Sequence, residues 1–151
     1  MEKILFINHS TWEKILNLIE KVRKLFPLII LTAVMLILYL GYREPVVNID
    51  KTAFRLRGGL YGVNIPFVEI SQVDTIVWNE MPVFIRTNGI SLFLVNRGDF
   101  KTKDGDKIRL SMNGGGNLVI RIIDNHGKIY YINRKKAIET RQIYNELQKY
   151  L

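Results

Sequence analysis

The sequence predicts an α+β fold that is mainly β: one apolar helix near the N-terminus, then a domain of short antiparallel strands closed by a C-terminal helix. Three observations predict it. Leu25 to Tyr42 is a run of 18 residues without a charge. From Val46 onward the texture changes to short alternating apolar runs separated by turn residues. Beyond Asn133 the alternation gives way to helical spacing.

The apolar run comes first. A spanning helix needs roughly 20 apolar residues, with a working range of about 17–25, so Leu25–Tyr42 is just long enough. Lys21, Arg23 and Lys24 flank it on one side and Arg43 on the other. A cleaved signal peptide fits less well, because the run begins after two dozen residues that include three Glu, and no small-x-small site follows it. A buried core helix is disfavoured because a small β domain rarely encloses a helix that is apolar all round. Pro27 is expected in the first turn of the span, where its missing N–H costs nothing. Upstream, Trp12, Ile15, Leu16, Ile19 and Val22 recur at helical spacing, with charged and polar residues between them. That pattern predicts an amphipathic helix along the headgroups, kinked into the span at Pro27; the alternative is one long bent helix whose first half packs on the soluble domain. Flanking charges do not fix direction: a narrow count favours a cytoplasmic N-terminus, and a window of about 15 residues removes the preference.

The β region then unfolds in order. Phe54–Arg57 alternates with period two and closes on Gly58-Gly59. Val63–Ile70 and Thr75–Trp78 follow, then Val83–Arg86, a turn at Asn88-Gly89, and Ile90–Val95. Lys107–Met112 comes after the loop Asp104-Gly105-Asp106. Leu118–Ile123 and Lys128–Ile132 flank Asp124-Asn125-His126-Gly127, a strong hairpin signal. About seven strands at intervals near 8–12 residues predict an antiparallel sandwich or barrel. Asn133 is placed to cap the last helix, with Ala137, Thr140, Tyr144, Leu147 and Leu151 on one stripe.

The segments Ile49-Asp50-x-x-x-Phe54, Gly59-Leu60-Tyr61-Gly62, Ile65-Pro66-Phe67-x-Glu69-Ile70 with Val73-x-x-Ile76, and Tyr144-x-x-Leu147 together resemble the bacterial pleckstrin-homology-like (PH-like) families. The likeness covers residues 46–151. It implies a split barrel of about seven antiparallel strands plugged by the C-terminal helix and preceded by a membrane region. Many members carry two spanning helices; here there is one, with a charged helix in the other's place.

Composition narrows the chemistry. The net charge of +8 divides into +2 over residues 1–42 and +6 over residues 43–151. Such diffuse positive charge suits an anionic membrane surface, and no aromatic-plus-basic or zinc-finger spacing points to nucleic acid. With no cysteine, disulfides, thiolate catalysis and Cys-based metal sites are excluded. His9 and His126 stand apart from any carboxylate cluster that would make a metal or acid–base site. Asn113-Gly114-Gly115-Gly116-Asn117 lacks the Gly-Lys-Ser/Thr of a phosphate loop and is explained as a strand connection. Asp99, Asp104 and Asp106 lack calcium-loop spacing.

Two groups remain as candidate binding residues. Lys51, Arg55 and Arg57 match the loose Lys-x(n)-Lys/Arg-x-Arg pattern by which some pleckstrin-homology domains hold inositol phosphates. Arg55 and Arg57 share one strand face. The commoner explanation is a solvated face with Phe54 and Leu56 turned inward. Trp78, Phe84 and Phe93 are the aromatic candidates for contact with another chain.

The expectation is therefore a non-enzymatic, membrane-tethered PH-like module with an N-terminal tail and amphipathic helix (1–24), a single transmembrane helix (25–42) and a soluble domain (46–151). It docks a protein partner at a bacterial inner membrane, with the soluble domain on the cytoplasmic side. Direct binding of anionic lipid headgroups and a structural place in an envelope complex are the alternatives. No cofactor, metal, nucleic acid or small-molecule substrate is implied.

Overall fold

The computed structural model of the chain describes residues 9–151. The start of the expected N-terminal tail, residues 1–8, lies outside the described residues. The chain divides into two units between Tyr39 and Leu40.

Helix α1 (His9–Tyr42) is one continuous element of 34 residues. At 1.5 Å per residue it extends about 51 Å, against a hydrocarbon core of about 30 Å. It is long and apolar enough to cross a membrane, and it lies near the N-terminus. The expected separate amphipathic helix is instead the first half of α1, and Pro27 sits inside the helix rather than at its first turn. A proline there removes one backbone bond, to the carbonyl of Arg23. The Leu- and Ile-rich turns on either side carry the helix through it. The hydroxyl of Thr32 is satisfied within the apolar run by the Leu28 carbonyl at 2.8 Å.

The second unit begins at Leu40. It carries β1 (Val46–Ile49), β2 (Ala53–Arg57), β3 (Val63–Pro66), β4 (Ile70–Val77), β5 (Phe84–Leu92), β6 (Val95–Thr102), β7 (Lys107–Asn113), β8 (Leu118–Asp124), β9 (Ile129–Ile132) and α2 (Ala137–Leu147). Short 3₁₀ turns, Phe67–Glu69 and Trp78–Glu80, lie on either side of β4. One sheet has the order β1-β2-β3 and the other β4-β8-β9-β7-β6-β5. The unit is α+β and mainly β, as expected, with nine strands in two open sheets among the described residues. One pairing departs from the antiparallel expectation: β9 runs parallel to β7, with Ile108 opposite Ile129.

Side-chain periodicity explains the sheet. Phe54, Leu56, Val63 and Ile65 of the small sheet meet Ile120, Ile122 and Ile132 of the large one, with Leu147 of α2 closing this core. On the opposite face, Phe100, Ile108, Leu110, Met112, Val119 and Tyr131 form a second core. Strand β8 thus buries side chains on both faces, which is why Leu118–Ile123 reads as a nearly continuous apolar run.

The Asp124–Gly127 hairpin forms as expected. The Asp124 carboxylate accepts the backbone N–H groups of His126 and Lys128, each at 2.9 Å, and the Tyr130 hydroxyl at 3.1 Å. Burial, then that hydrogen bond, push the Tyr130 phenol up to about 12. Asn88-Gly89 is not a turn. Strand β5 continues through it with a bulge between Arg86 and Asn88, and the chain reverses at Phe93-Leu94. Gly89 faces Gly98 across the ladder. A Cβ at Gly98 would lie 2.5 Å from both the Asn88 carbonyl and Gly89 Cα, so the two glycines are there for close backbone approach.

Asn133 does not cap α2. Lys136 occupies the N-cap without a side-chain hydrogen bond, while Asn133 is buried and turned into the large sheet. Thr140 and Leu147 are the buried residues of α2, and Ala137 and Leu151 are exposed.

Candidate docking surfaces

The most developed polar constellation surrounds residues 41–44. Arg97, on β6, is 3% exposed. Its Nη1 donates to the Gly41 carbonyl at 3.0 Å and to the Arg43 carbonyl, and its Nη2 donates to Asn113 Oδ1 at 2.6 Å. Asn113 Nδ2 in turn donates to Glu44 Oε1 at 3.1 Å, and Arg134 Nη1 reaches the same oxygen at 3.1 Å. Asn133 Oδ1 accepts the Asn113 backbone N–H at 2.6 Å, and Asn133 Nδ2 donates to the Gly116 carbonyl at 3.1 Å. The last carbonyls of a helix lack intrahelical donors and carry its negative dipole end, so a guanidinium is chemically suited to them. Burial pulls the Arg97 guanidinium below its ordinary value, the Glu44 charge opposes that, and Arg134 adds to it.

Sequence reasoning missed this group. Asn96-Arg97-Gly98-Asp99 is polar and carries no strand alternation, so local pattern gives no strand signal for β6. The one available signal was an unbroken stretch of hydrogen-bonding residues between two apolar strands.

Of the basic candidates, Arg55 and Arg57 line one groove and Lys51 stands apart. Arg55 forms an ion pair with Asp50 and donates to Thr52 Oγ1 at 3.3 Å. Asp50 also accepts the Thr52 hydroxyl at 2.6 Å and backbone N–H at 2.8 Å. Lys51 lies in the β1–β2 turn, whereas Arg57 pairs with Val46 at the other end of β2, about 13 Å of strand from Ala53. A shallow groove of about 410 Å³ takes in Arg55, Arg57 and Asn64 but not Lys51.

The aromatic candidates also separate. Trp78 and Phe84 lean on the second core, Phe84 meeting Phe100 edge-on at 5.4 Å. Phe93 is 97% exposed and holds a φ of +49°, a conformation costing an L-residue roughly 1–2 kcal/mol. Leu94 beside it is 64% exposed. Among the described residues the outer edge of β5 has no partner strand; Ile85 on it and Val83 just before it are each 62% exposed.

No protein family, curated protein or solved structure matches the chain.

Proposed function

We propose that this chain is a membrane-tethered, non-enzymatic binding module of PH-like organisation that docks a protein partner at the cytoplasmic face of a bacterial membrane. The observation that carries the reading is the seating of residues 41–44. Within the second unit, buried Arg97 and Asn113 hold Gly41 and Glu44, the residues that follow directly on the apolar run. A module tethered in this way works at a raised local concentration, so a modest contact area is sufficient for docking.

Strand β5 offers that contact. It is nine residues long and lies at the sheet edge, and an unpaired edge presents backbone donors and acceptors to an added strand. The PH-like organisation draws its support from the two sheets and from α2 packed over the first core. The parallel β7–β9 pair is its departure from that pattern. Headgroup binding through Lys51, Arg55 and Arg57 is less favoured, because Asp50 already neutralises Arg55 and Lys51 stands apart.

A photo-crosslinking residue at Ile85, in membranes of cells that naturally contain the chain, tests the reading. One discrete protein adduct is expected, absent when the crosslinker sits at Gln142 on the exposed side of α2. Adducts with lipid alone, or with a second copy alone, would sink partner docking at β5.

A further inference from the structure

We propose that the β5–β6 hairpin tip, Phe93-Leu94, is a second membrane contact: a wedge that enters the headgroup–acyl boundary close to the point where the chain leaves the bilayer. The proposal rests on the membrane-tethered reading above.

Its position follows from contacts within the second unit. Arg97, bonded to the Gly41 carbonyl, lies three residues from Leu94, about 10 Å along the strand. A Cβ at Gly41 would fall 2.5 Å from Ile90 Cδ1, on the facing strand of the same hairpin. A second line of contacts leads to the same end. The Lys135 ammonium lies 5.8 Å from the centre of the Tyr42 ring, the Lys135 carbonyl is 3.2 Å from where a Gly115 Cβ would stand, and Leu94 covers Gly114. The tip therefore shares one end of the domain with Leu40–Tyr42, where the uncharged run finishes.

The chemistry of that end suits a bilayer surface. Phe93, Leu94 and Tyr42 are exposed apolar or aromatic groups, and Arg43, Lys135 and Lys136 are exposed cations near them. Aromatic and apolar side chains with basic neighbours are the composition of interfacial membrane anchors. The backbone adds a separate argument. Two-residue hairpin turns favour Asn, Asp or Gly where φ is positive, yet here a phenylalanine takes the strained position and points into solvent. Lipid fits the tip because Leu40–Tyr42, the close of the uncharged run, lie at the same end of the domain and the surrounding charge is positive.

The chain has no cysteine, so single labelling sites need no background substitutions. Phe93→Cys, Met35→Cys and His126→Cys would each carry an environment-sensitive fluorophore in the full chain. Each is reconstituted at one copy per nanodisc of phosphatidylcholine and phosphatidylglycerol, with and without quencher-bearing lipid, the quencher shallow for the labels at 93, 94 and 126 and at the acyl-chain centre for the label at 35. The expected result is a blue-shifted label at 93 that loses most of its emission to the quencher, with 126, in the β8–β9 turn, unaffected. Leu94→Cys carries the same expectation with Phe93 left in place. A quenched label at 35 with aqueous, unquenched labels at 93 and 94 overturns the wedge and leaves the tether standing. An unquenched label at 35 overturns the tether and the wedge together. Equal quenching at 126 and 93 also overturns the wedge, since contact would not then be specific to the tip. Protection at 93 without lipid quenching overturns it as well, in favour of a protein contact.

Discussion

Arg97 takes its charge into a buried position where three oxygens receive it, none of them from a carboxylate. Two belong to the backbone, at Gly41 and Arg43, and one to the amide of Asn113. A lysine could not serve all three, because its donors radiate from one nitrogen while a guanidinium presents a planar fork. Arg97→Met is therefore expected to cost about 3 kcal/mol, in the range for removing one partner from a buried charged network. Denaturant unfolding of the full chain in detergent measures it. Arg97→Lys should recover only part of that loss. Asn133 shows the limit of residue-scale inference from sequence. Its type and place before a helix suggested a cap, but its amide finds better-placed partners in the Asn113 N–H and the Gly116 carbonyl. Those partners are distant in sequence, so local pattern could not reveal the competition.

At the scale of elements, β4 depends on β8 for its place in the sheet, because it stands at the edge. Asp74 on β4 and Arg121 on β8 tie the two, with Arg121 Nε 2.9 Å from Asp74 Oδ1. The Arg121 hydrogen bonds hold the Asp74 carboxyl below its ordinary value, burial opposes them, and Gln72 adds a smaller lowering. A depressed carboxylate contributes stability that is present above its unfolded pKa, near 3.8, and lost as pH falls through the folded value. Both side chains are about one-third exposed, so the contribution is of order 0.5–1 kcal/mol. Asp74→Asn should lower the unfolding midpoint at pH 7 and remove part of the acid-side decline, leaving the difference from the parent chain smallest at the acid end of the range, below the depressed folded value. Unfolding curves across pH 2–7 check the sign.

Element boundaries were legible where one local device decided them. The Asp124 turn is an example, because its carboxylate satisfies the turn's own N–H groups. They were illegible where a partner strand decided them. Asn88-Gly89 has turn chemistry, but Gly98 on β6 draws it into a ladder. The polar stretch of β6 is a strand because β5 and β7 flank it, not because of any alternation of its own. Among the candidate docking residues, Phe93 is the one aromatic left exposed. Its difference from Trp78 and Phe84 lies in the position of the turn, which falls five residues beyond Asn88-Gly89.

For the whole molecule, the division between Tyr39 and Leu40 has a direct test. Both hydrophobic cores and every strand lie beyond residue 45. A fragment comprising residues 40–151 is expected to melt cooperatively with a β-rich circular dichroism spectrum, and to leave the membrane fraction in alkaline carbonate. The full chain should stay in the pellet. Release of the full chain by carbonate would contradict the tether. A fragment without a cooperative melt would show that the domain needs α1 to fold. The overall plan, an apolar helix before a β domain that ends in a helix, was legible from composition and periodicity because each part has a distinct repeat. The arrangement of the strands was not, since pairing partners lie far apart in sequence.

Among the described residues, strand β9 lies between β7 and β8 and is the one bridge between the β4–β8 pair and the β5–β6–β7 meander. It is also the last of the nine described strands to leave the ribosome. Strands β1–β8 of a nascent chain can all pair before it, but the large sheet remains in two halves until residues 129–132 emerge. The apolar helix, made before these strands, would on the proposed tether have the whole of that interval to reach the bilayer. Synthesis would then set an order of events, with anchoring before closure of the sheet.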